Sequence, residues 1–169
     1  YSLLIGMTVT LGSGTVYAFE PESANFRSLN KNIQINNLGG KVLPYAVAFG
    51  DGKRASKLFL HSTVPGSSLH GIDRPESEGV PFYAKHVQGV YIVTVDDFVK
   101  EQGVEFPNHM KIDVDGVEKD IVANMKEVLS DHRLQTVMIE IQPSLSLGEI
   151  EAVIEGADFG EVMREQAGT

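Results

Sequence analysis

Hydrophobic positions fall along the chain in short blocks, and their spacing changes from block to block. Val16-Tyr17-Ala18-Phe19 is a β-branched and aromatic run, which predicts a strand over Thr15–Phe19 that Pro21 stops. Phe26, Leu29 and Ile33 then recur three and four residues apart, which predicts an amphipathic helix from about Glu22 to Asn37. Asn36-Asn37-Leu38-Gly39-Gly40 ends it. Strand signals return at Tyr45–Phe49, where Pro44 implies an edge position or a start after the proline. They recur at Lys57–His61 and Val90–Val95, and a short helix follows, capped by Asp96 or Asp97 and ended at Gly103. Met110–Val114 is the next strand. Val117, Ile121, Val122, Met125, Val128 and Leu129 give the helix after it one apolar side. Thr136–Ile141 is a strand closed by Pro143. Ser146-Leu147-Gly148-Glu149 has the form of a capping box and opens a helix over Ile150, Val153 and Ile154. Phe159–Arg164 is compatible with a last strand.

Three stretches stand outside this rhythm. Residues 2–11 are apolar with little relief, and a buried helix and a strand fit them equally. Gly12-Ser13-Gly14 precedes a strand, whereas a dinucleotide loop follows a strand and opens a helix, so these glycines read as a turn. Thr63–Pro81 is Gly, Pro, Ser and charge, and structureless loops of such length are often lids or binding loops. Strands alternate with helices elsewhere, which predicts a mostly parallel α/β sheet in a single domain over residues 1–169. Around residues 51–96 strand signals follow one another without a helix, which predicts an antiparallel insertion.

Composition narrows the possible partners. A chain of 169 residues with 42% apolar content can bury a real core. The formal net charge of -9 argues against a non-specific grip on nucleic acid or anionic membrane, because phosphate contacts need clustered Lys and Arg. No apolar run approaches the roughly 20 residues of a membrane span. The absence of cysteine excludes disulfides and thiolate metal sites and is in keeping with a cytoplasmic setting. The run Leu3-Leu4-Ile5-Gly6-Met7 lacks a basic leader, so it does not read as a signal peptide. Because the sequence opens on Tyr1, either residues were removed or the chain is part of a longer protein.

Acids stand where strands become helices. In open α/β sheets, ligands bind outside the carboxyl ends of the strands. Glu20 closes the first strand, where an acid can accept hydrogen bonds from both ribose hydroxyls of a nucleoside cofactor. A solvated acid at a helix N-terminus accounts for it equally. Counting back roughly 20 residues from such an acid should reach a glycine-rich cofactor loop, and here the count reaches or passes residue 1. Asp113, Asp115 and Glu118 are three carboxylates in six residues, suited to a divalent metal or a general base. A calcium loop fails, since its fifth, sixth and twelfth positions would be Val117, Glu118 and Asn124. Capping by Asp115 and dipole complementation by Glu118 are the plainer roles, but Asp113 lies in an apolar strand and needs a partner. Glu140 stands in a similar strand, Val137-Met138-Ile139-Glu140-Ile141. The five histidines, at 61, 70, 86, 109 and 132, have no paired spacing of the zinc-helix kind.

Taken in order, these motifs resemble the FkbM-type S-adenosylmethionine-dependent methyltransferases. The resemblance rests on Val16-Tyr17-Ala18-Phe19-Glu20-Pro21, Asn25-Phe26, Asn32-Ile33 and Asn36-Asn37. It continues through Val95-Asp96-Asp97-Phe98, the block Lys111 to Glu118, and Ile139-Glu140-Ile141. It covers about residues 1–142, and Asp115 stands where the family usually has Glu. It implies a Rossmann-like class I methyltransferase sheet, with the family's first motif, Asp-Val-Gly-Ala-Asn-x-Gly, expected directly before Tyr1 and therefore a domain truncated at its N-terminus. It further implies S-adenosylmethionine as cofactor and methyl transfer to oxygen of a sugar or polyketide-like small molecule. By resemblance, Glu20 holds the adenosyl ribose, Ala48 to Asp51 lie near the adenine, and Asp113 orients or deprotonates the acceptor hydroxyl, with Glu118 and Glu140 as further catalytic candidates. Two rivals stay open, a nicotinamide dehydrogenase and a non-catalytic interaction module. A sheet lacking its first strand exposes strand edges, which predicts a homo-oligomer; light scattering checks this, and a monomer at working concentration counts against it.

Overall fold

The structure is a computed structural model that describes residues 14–68, 70–77, 79–114, 116–141, 147–157 and 159. The expected segment at 2–11, Asp115, Ser146 of the capping box and nearly all of the expected last strand lie outside the described residues. The chain divides into two compact units, Tyr1–Val93 and Thr94–Thr169.

In the first unit, strand β1 (Val16–Phe19) leads through helix α1 (Ser23–Ile35) to strand β2 (Val42–Tyr45), and the two strands pair in parallel. A helical crossover between parallel strands is the βαβ arrangement that the alternating pattern predicts. Leu29 and Ile33 pack from the helix against Ala18, Leu38, Val42 and Val16, so the three-four spacing marks the buried side. The helix ends as the sequence predicts: Asn37 adopts a positive φ of 55°, and Gly40 one of 82°. The strand expected over Tyr45–Phe49 is divided: β2 starts earlier, at the deeply buried Val42, and ends at Tyr45, and Ala48–Phe49 form a separate strand paired elsewhere. Val16 donates to the carbonyl of Lys41 and Glu20 to that of Tyr45. Alternate residues of a strand face opposite neighbours, so Pro44, which has no N–H, turns its nitrogen away from β1.

The rest of the unit is the predicted antiparallel insertion. Strand β3 (Ala48–Phe49) is followed by β4 (Arg54–Leu60), β5 (Gly71–Ile72), β6 (Glu76–Ser77), β7 (Val80–Pro81) and β8 (His86–Val93). β4 and β8 run antiparallel from Arg54 opposite Ile92 to Leu60 opposite His86. β3 lies parallel to β8, and β5 antiparallel to β4. The core under this sheet is Ala48, Leu58, Leu60, Val90 and Ile92, with Ile72 packed against it. Two corrections to the expected elements arise here. The stretch expected as loop over Thr63–Pro81 contains short strands, with β6 and β7 paired as a hairpin. β8 begins at His86 rather than Val90, because the residues before Val90 are polar, glycine or outward-facing in a sheet with one wet face.

The second unit contains helices α2 (Val95–Glu101), α3 (Glu118–Ala123), α4 (Lys126–Leu129) and α5 (Leu147–Glu155) and the strands β9 (His109–Ile112) and β10 (Thr136–Ile139). β9 and β10 pair in parallel, His109 opposite Thr136 and Ile112 opposite Ile139. The single helix expected after β9 breaks at Asn124, whose side-chain amide turns back to the carbonyl of Asp120. The apolar positions still serve one core: Ile121, Val122, Met125, Val128 and Leu129 are all buried. The expected cap of α2 is also corrected. Thr94, not Asp96 or Asp97, caps it, accepting from the Asp97 N–H at 3.0 Å. Asp96 instead accepts from Glu127 N at 3.0 Å and Val128 N at 2.9 Å, satisfying the open first turn of α4. Lys119 pairs with Glu149 and links α3 to α5. Among the described residues, no helix is long and apolar enough to cross a membrane.

Gly71 marks the tightest turn of the insertion. A Cβ there would overlap the backbone carbonyl oxygens of Arg74 and Glu76, which cannot swing away as a side chain would. Gly71→Ala is expected to cost about 1–3 kcal/mol, the range for forced overpacking, in urea unfolding. A variant as stable as the parent would show that this turn has room to relax.

Candidate functional site

The end of β1 is built from two acids, Glu20 and Glu22, with amides and backbone groups beside them. Glu22 is 4% exposed and is the N-cap of α1. Its carboxylate accepts from Ala24 N at 2.9 Å and Asn25 N at 2.7 Å, and from Ser23 Oγ at 3.2 Å. These bonds satisfy both a buried charge and the orphan donors of the helix, and the positive end of the helix dipole adds to them. Capping therefore falls to Glu22, a residue the sequence reading passed over because Glu is not among the favoured N-caps. Glu20, directly after the strand, uses Oε1 to accept the Glu22 N–H at 2.9 Å. Gln88, from β8, closes the arrangement: Nε2 donates to the Pro21 carbonyl at 2.7 Å and Oε1 accepts from Ser23 N at 3.1 Å. An open groove of about 480 Å³ runs beside this segment, lined by residues that include Pro21, Phe26, Ala46, Ser56, Gln88 and Tyr91. Its lining carries no charge.

The other residues expected near a cofactor lie apart from this groove. Ala48 is 4% exposed and its methyl belongs to the insertion core. Asp51 is exposed in the turn before β4 and accepts from Arg54 Nη2 at 3.1 Å. The same guanidinium grips Asp73 with both amines, at 3.0 and 2.6 Å, and Ser56 Oγ also donates to Asp73. These contacts, Arg54 first and Ser56 second, hold the Asp73 carboxyl below its usual range and raise the Arg54 guanidinium in turn. Asp73 sits at a positive φ of 66°, a conformation that Asp and Asn tolerate best among side-chain-bearing residues.

In the second unit, Asp113 follows β9 and Glu140 follows β10. Ile112 stands opposite Ile139 and Glu140 N donates to the Ile112 carbonyl at 2.9 Å, so the two acids continue the register as neighbours at the carboxyl ends of parallel strands. Lys111 joins them. Its Nζ lies 2.6 Å from Asp113 and 4.0 Å from Glu140, and its side chain is 14% exposed. Lys111 was quoted in a motif but given no role, although residues two apart in a strand share a face. Glu140, expected inside its strand, stands just beyond it and is 65% exposed at the side chain. Glu118 is 6% exposed at the start of α3, with Oε1 accepting from Gly116 N at 3.2 Å, and Gly116 has a φ of 91°. Among the described residues, no group of three acids or histidines is placed to hold a metal ion. His109 bonds Thr136 across the strand pair at 2.9 Å, and the ring of His61 meets Phe82 edge-on.

The chain was compared with known proteins. The sequence profile of the Methyltransferase FkbM domain matches residues 3–165. A protein named Methyltransferase 1, from Beauveria bassiana (strain ARSEF 2860), is 27% identical over 139 residues, covering 75% of this chain and 55% of that relative. The chain thus spans about half the length of that curated relative. A crystal structure of Methyltransferase FkbM from Methylobacillus flagellatus KT matches with a TM-score of 0.49 at 17% identity, over 79% of this chain and 28% of that one.

The Arg54–Asp73 grip has a pH signature. Asp73 has a lowered folded-state pKa, so its contribution is present above the unfolded value of about 3.9 and is lost as pH falls through the lower folded one. The carboxylate is 51% exposed, so solvent screening keeps the contribution below about 1 kcal/mol. Asp73→Asn keeps the backbone conformation and removes the charge. Unfolding measured from neutral pH to below pH 4 (about the unfolded value) is expected to show a shallower acid loss in the variant. Parallel curves would mean that the pair does not matter to stability.

Proposed function

The chain belongs to the FkbM methyltransferase family, and from that membership we propose that it transfers a methyl group from S-adenosylmethionine to a hydroxyl oxygen of a small molecule or glycan. One observation carries the reading. Each unit has a parallel strand pair, and a strand of each pair runs straight into an acid at its carboxyl end: β1 into Glu20 and β9 into Asp113. Ligands of open α/β sheets bind at such ends.

The residues present fit a nucleoside. The bond from Glu22 N orients the Glu20 carboxylate at the strand end, and a carboxylate there is an acceptor for vicinal ribose hydroxyls. The neighbouring groove is uncharged and includes Phe26 and Tyr91, a lining suited to a flat, neutral base. S-adenosylmethionine, when bound, supplies an electrophilic methyl on a sulfonium sulfur. The chain's task is then to hold the acceptor in line with that methyl and to receive its proton, and positioning supplies much of the rate. Asp113 is the residue for the proton. It is partly exposed, directly follows its strand, and is steered by Lys111 at 2.6 Å. A carboxylate so held is a fixed acceptor for a hydroxyl hydrogen. Glu140 lies 4.0 Å from the same ammonium and adds negative charge beside the pair.

Calorimetric titration of S-adenosylhomocysteine tests the cofactor half. Glu20→Gln is expected to weaken binding about 10-fold or more, the worth of a charged hydrogen bond. Asp113→Asn is expected to leave that binding unchanged and to lower kcat about 100-fold with a hydroxylated acceptor, the lower range for general base catalysis. No binding by the unaltered chain would refute the cofactor assignment. Unchanged kcat in Asp113→Asn would move the proton to another group.

A further inference from the structure

One side chain ties the loop between β4 and β5 to helix α1. Asn25, in the first turn of the helix, accepts the Gly66 N–H at Oδ1 (2.6 Å) and donates from Nδ2 to the Ser67 carbonyl (3.1 Å). A carboxamide that engages an N–H and a C=O of neighbouring residues fixes a segment in position and orientation, as a strand partner would. The loop's own bonds are local: Val64 N to Ser62 Oγ and Ser67 N to the Val64 carbonyl. Gly66 supplies the positive φ of 87° that the turn needs. Asn25 is itself held from the other side, since its N–H donates to the buried Glu22 carboxylate at 2.7 Å and the Glu22 N–H donates to Glu20 at 2.9 Å. Glu20, Glu22, Asn25 and the Gly66–Ser67 backbone are therefore links of one chain of hydrogen bonds. Gln88 anchors the same segment to β8.

We propose that Asn25 is a positioning residue that holds the Val64–Ser68 loop as a wall beside Glu20, so that a nucleoside ligand on Glu20 is retained by the loop. The ligand's identity rests on the methyltransferase reading, and the tether itself does not. The two bonds use only loop backbone, so what matters at 66 and 67 is the path of the chain. Loss of the amide leaves the Glu22 cap intact, because that cap engages the Asn25 backbone.

The test pairs amide hydrogen exchange at Gly66 with the dissociation rate of S-adenosylhomocysteine, in the unaltered chain, Asn25→Ala and Asn25→Asp. Asp is favourable in the first turn of a helix, so Asn25→Asp separates a lost tether from a lost fold. It keeps an acceptor for Gly66 N but faces the Ser67 carbonyl with a second oxygen. Asn25→Ala is expected to exchange Gly66 about 10-fold faster, and both variants to release the ligand about 10-fold faster, a change equal to losing one modest hydrogen bond. Unchanged Gly66 exchange in Asn25→Ala overturns the tether. Faster exchange with an unchanged release rate overturns the positioning role alone. Failure of the unaltered chain to bind S-adenosylhomocysteine is a failure of the cofactor reading and removes the positioning role with it, whereas Gly66 exchange then still reports whether the tether exists.

Discussion

The first turn of an α-helix leaves backbone N–H groups with no helical partner, and helix α1 meets that constraint with a buried carboxylate. Glu22 takes two of those groups and a serine hydroxyl, at 2.9, 2.7 and 3.2 Å. A carboxylate buried to 4% exposure is costly unless its charge is answered, and the aligned N–H groups answer it. Much of the first unit depends on this settlement. It fixes where α1 starts and hence how Leu29 and Ile33 meet Val42 and Ala18. It holds the backbone of Asn25 and, through its own N–H, the carboxylate of Glu20. A strand end becomes a defined site when the turn after it cannot drift, and here the turn is bonded at nearly every residue from Glu20 to Asn25.

The second unit solves a related problem with charge. Parallel pairing in register brings Asp113 and Glu140 to adjacent strand ends, where like charges repel. Lys111 stands among them with a largely buried stem and answers both, more closely the one on its own strand. The asymmetry, 2.6 Å against 4.0 Å, distinguishes the two acids physically. Asp113 is oriented by a direct bond, whereas Glu140 remains 65% exposed and less constrained.

How far the sequence foretold this depends on which kind of signal each feature carries. Periodicity located β1, α1, β9 and β10 to within a few residues because their buried sides are dense in Val, Ile and Leu. The insertion was legible as a class, since strand signals followed one another without a helix, but its members were not. β8 reaches back to His86 through positions whose outward face is polar, and β5, β6 and β7 are two residues each, too short for any period to register. The break between α3 and α4 left the apolar pattern undisturbed, because Met125 remains buried across it. Capping was the least legible. Asp96 looked like the cap of the helix it begins, yet it serves α4, some thirty residues away, and no local rule contains that information. Of the acids singled out, Glu20 and Asp113 stand at strand ends as their position in the motifs implied. Asn25 and Gln88 act through partners 41 to 67 residues away in sequence, whereas Glu22 and Lys111 act on near neighbours in a way no favoured-residue rule marks.

Asn25, Gln88 and Glu22 share one physical device. Asn25 and Gln88 bind backbone atoms at Gly66, Ser67, Pro21 and Ser23, so their partners can change side chain without loss, but neither amide can be replaced by a group lacking a donor and an acceptor together. Glu22 likewise engages backbone in α1, and Asp96 does so in α4. The recurrent device in this chain is thus a polar side chain reading main chain across a turn. It demands an exact residue at one position and only a path at the other. A motif built on that device is sparse in sequence, single letters separated by free positions, even though the geometry it enforces is continuous. Glu20-Pro21 and Asn25-Phe26 stand in that form in this chain, whereas Lys111-Ile112-Asp113 is closed by an ion pair between side chains.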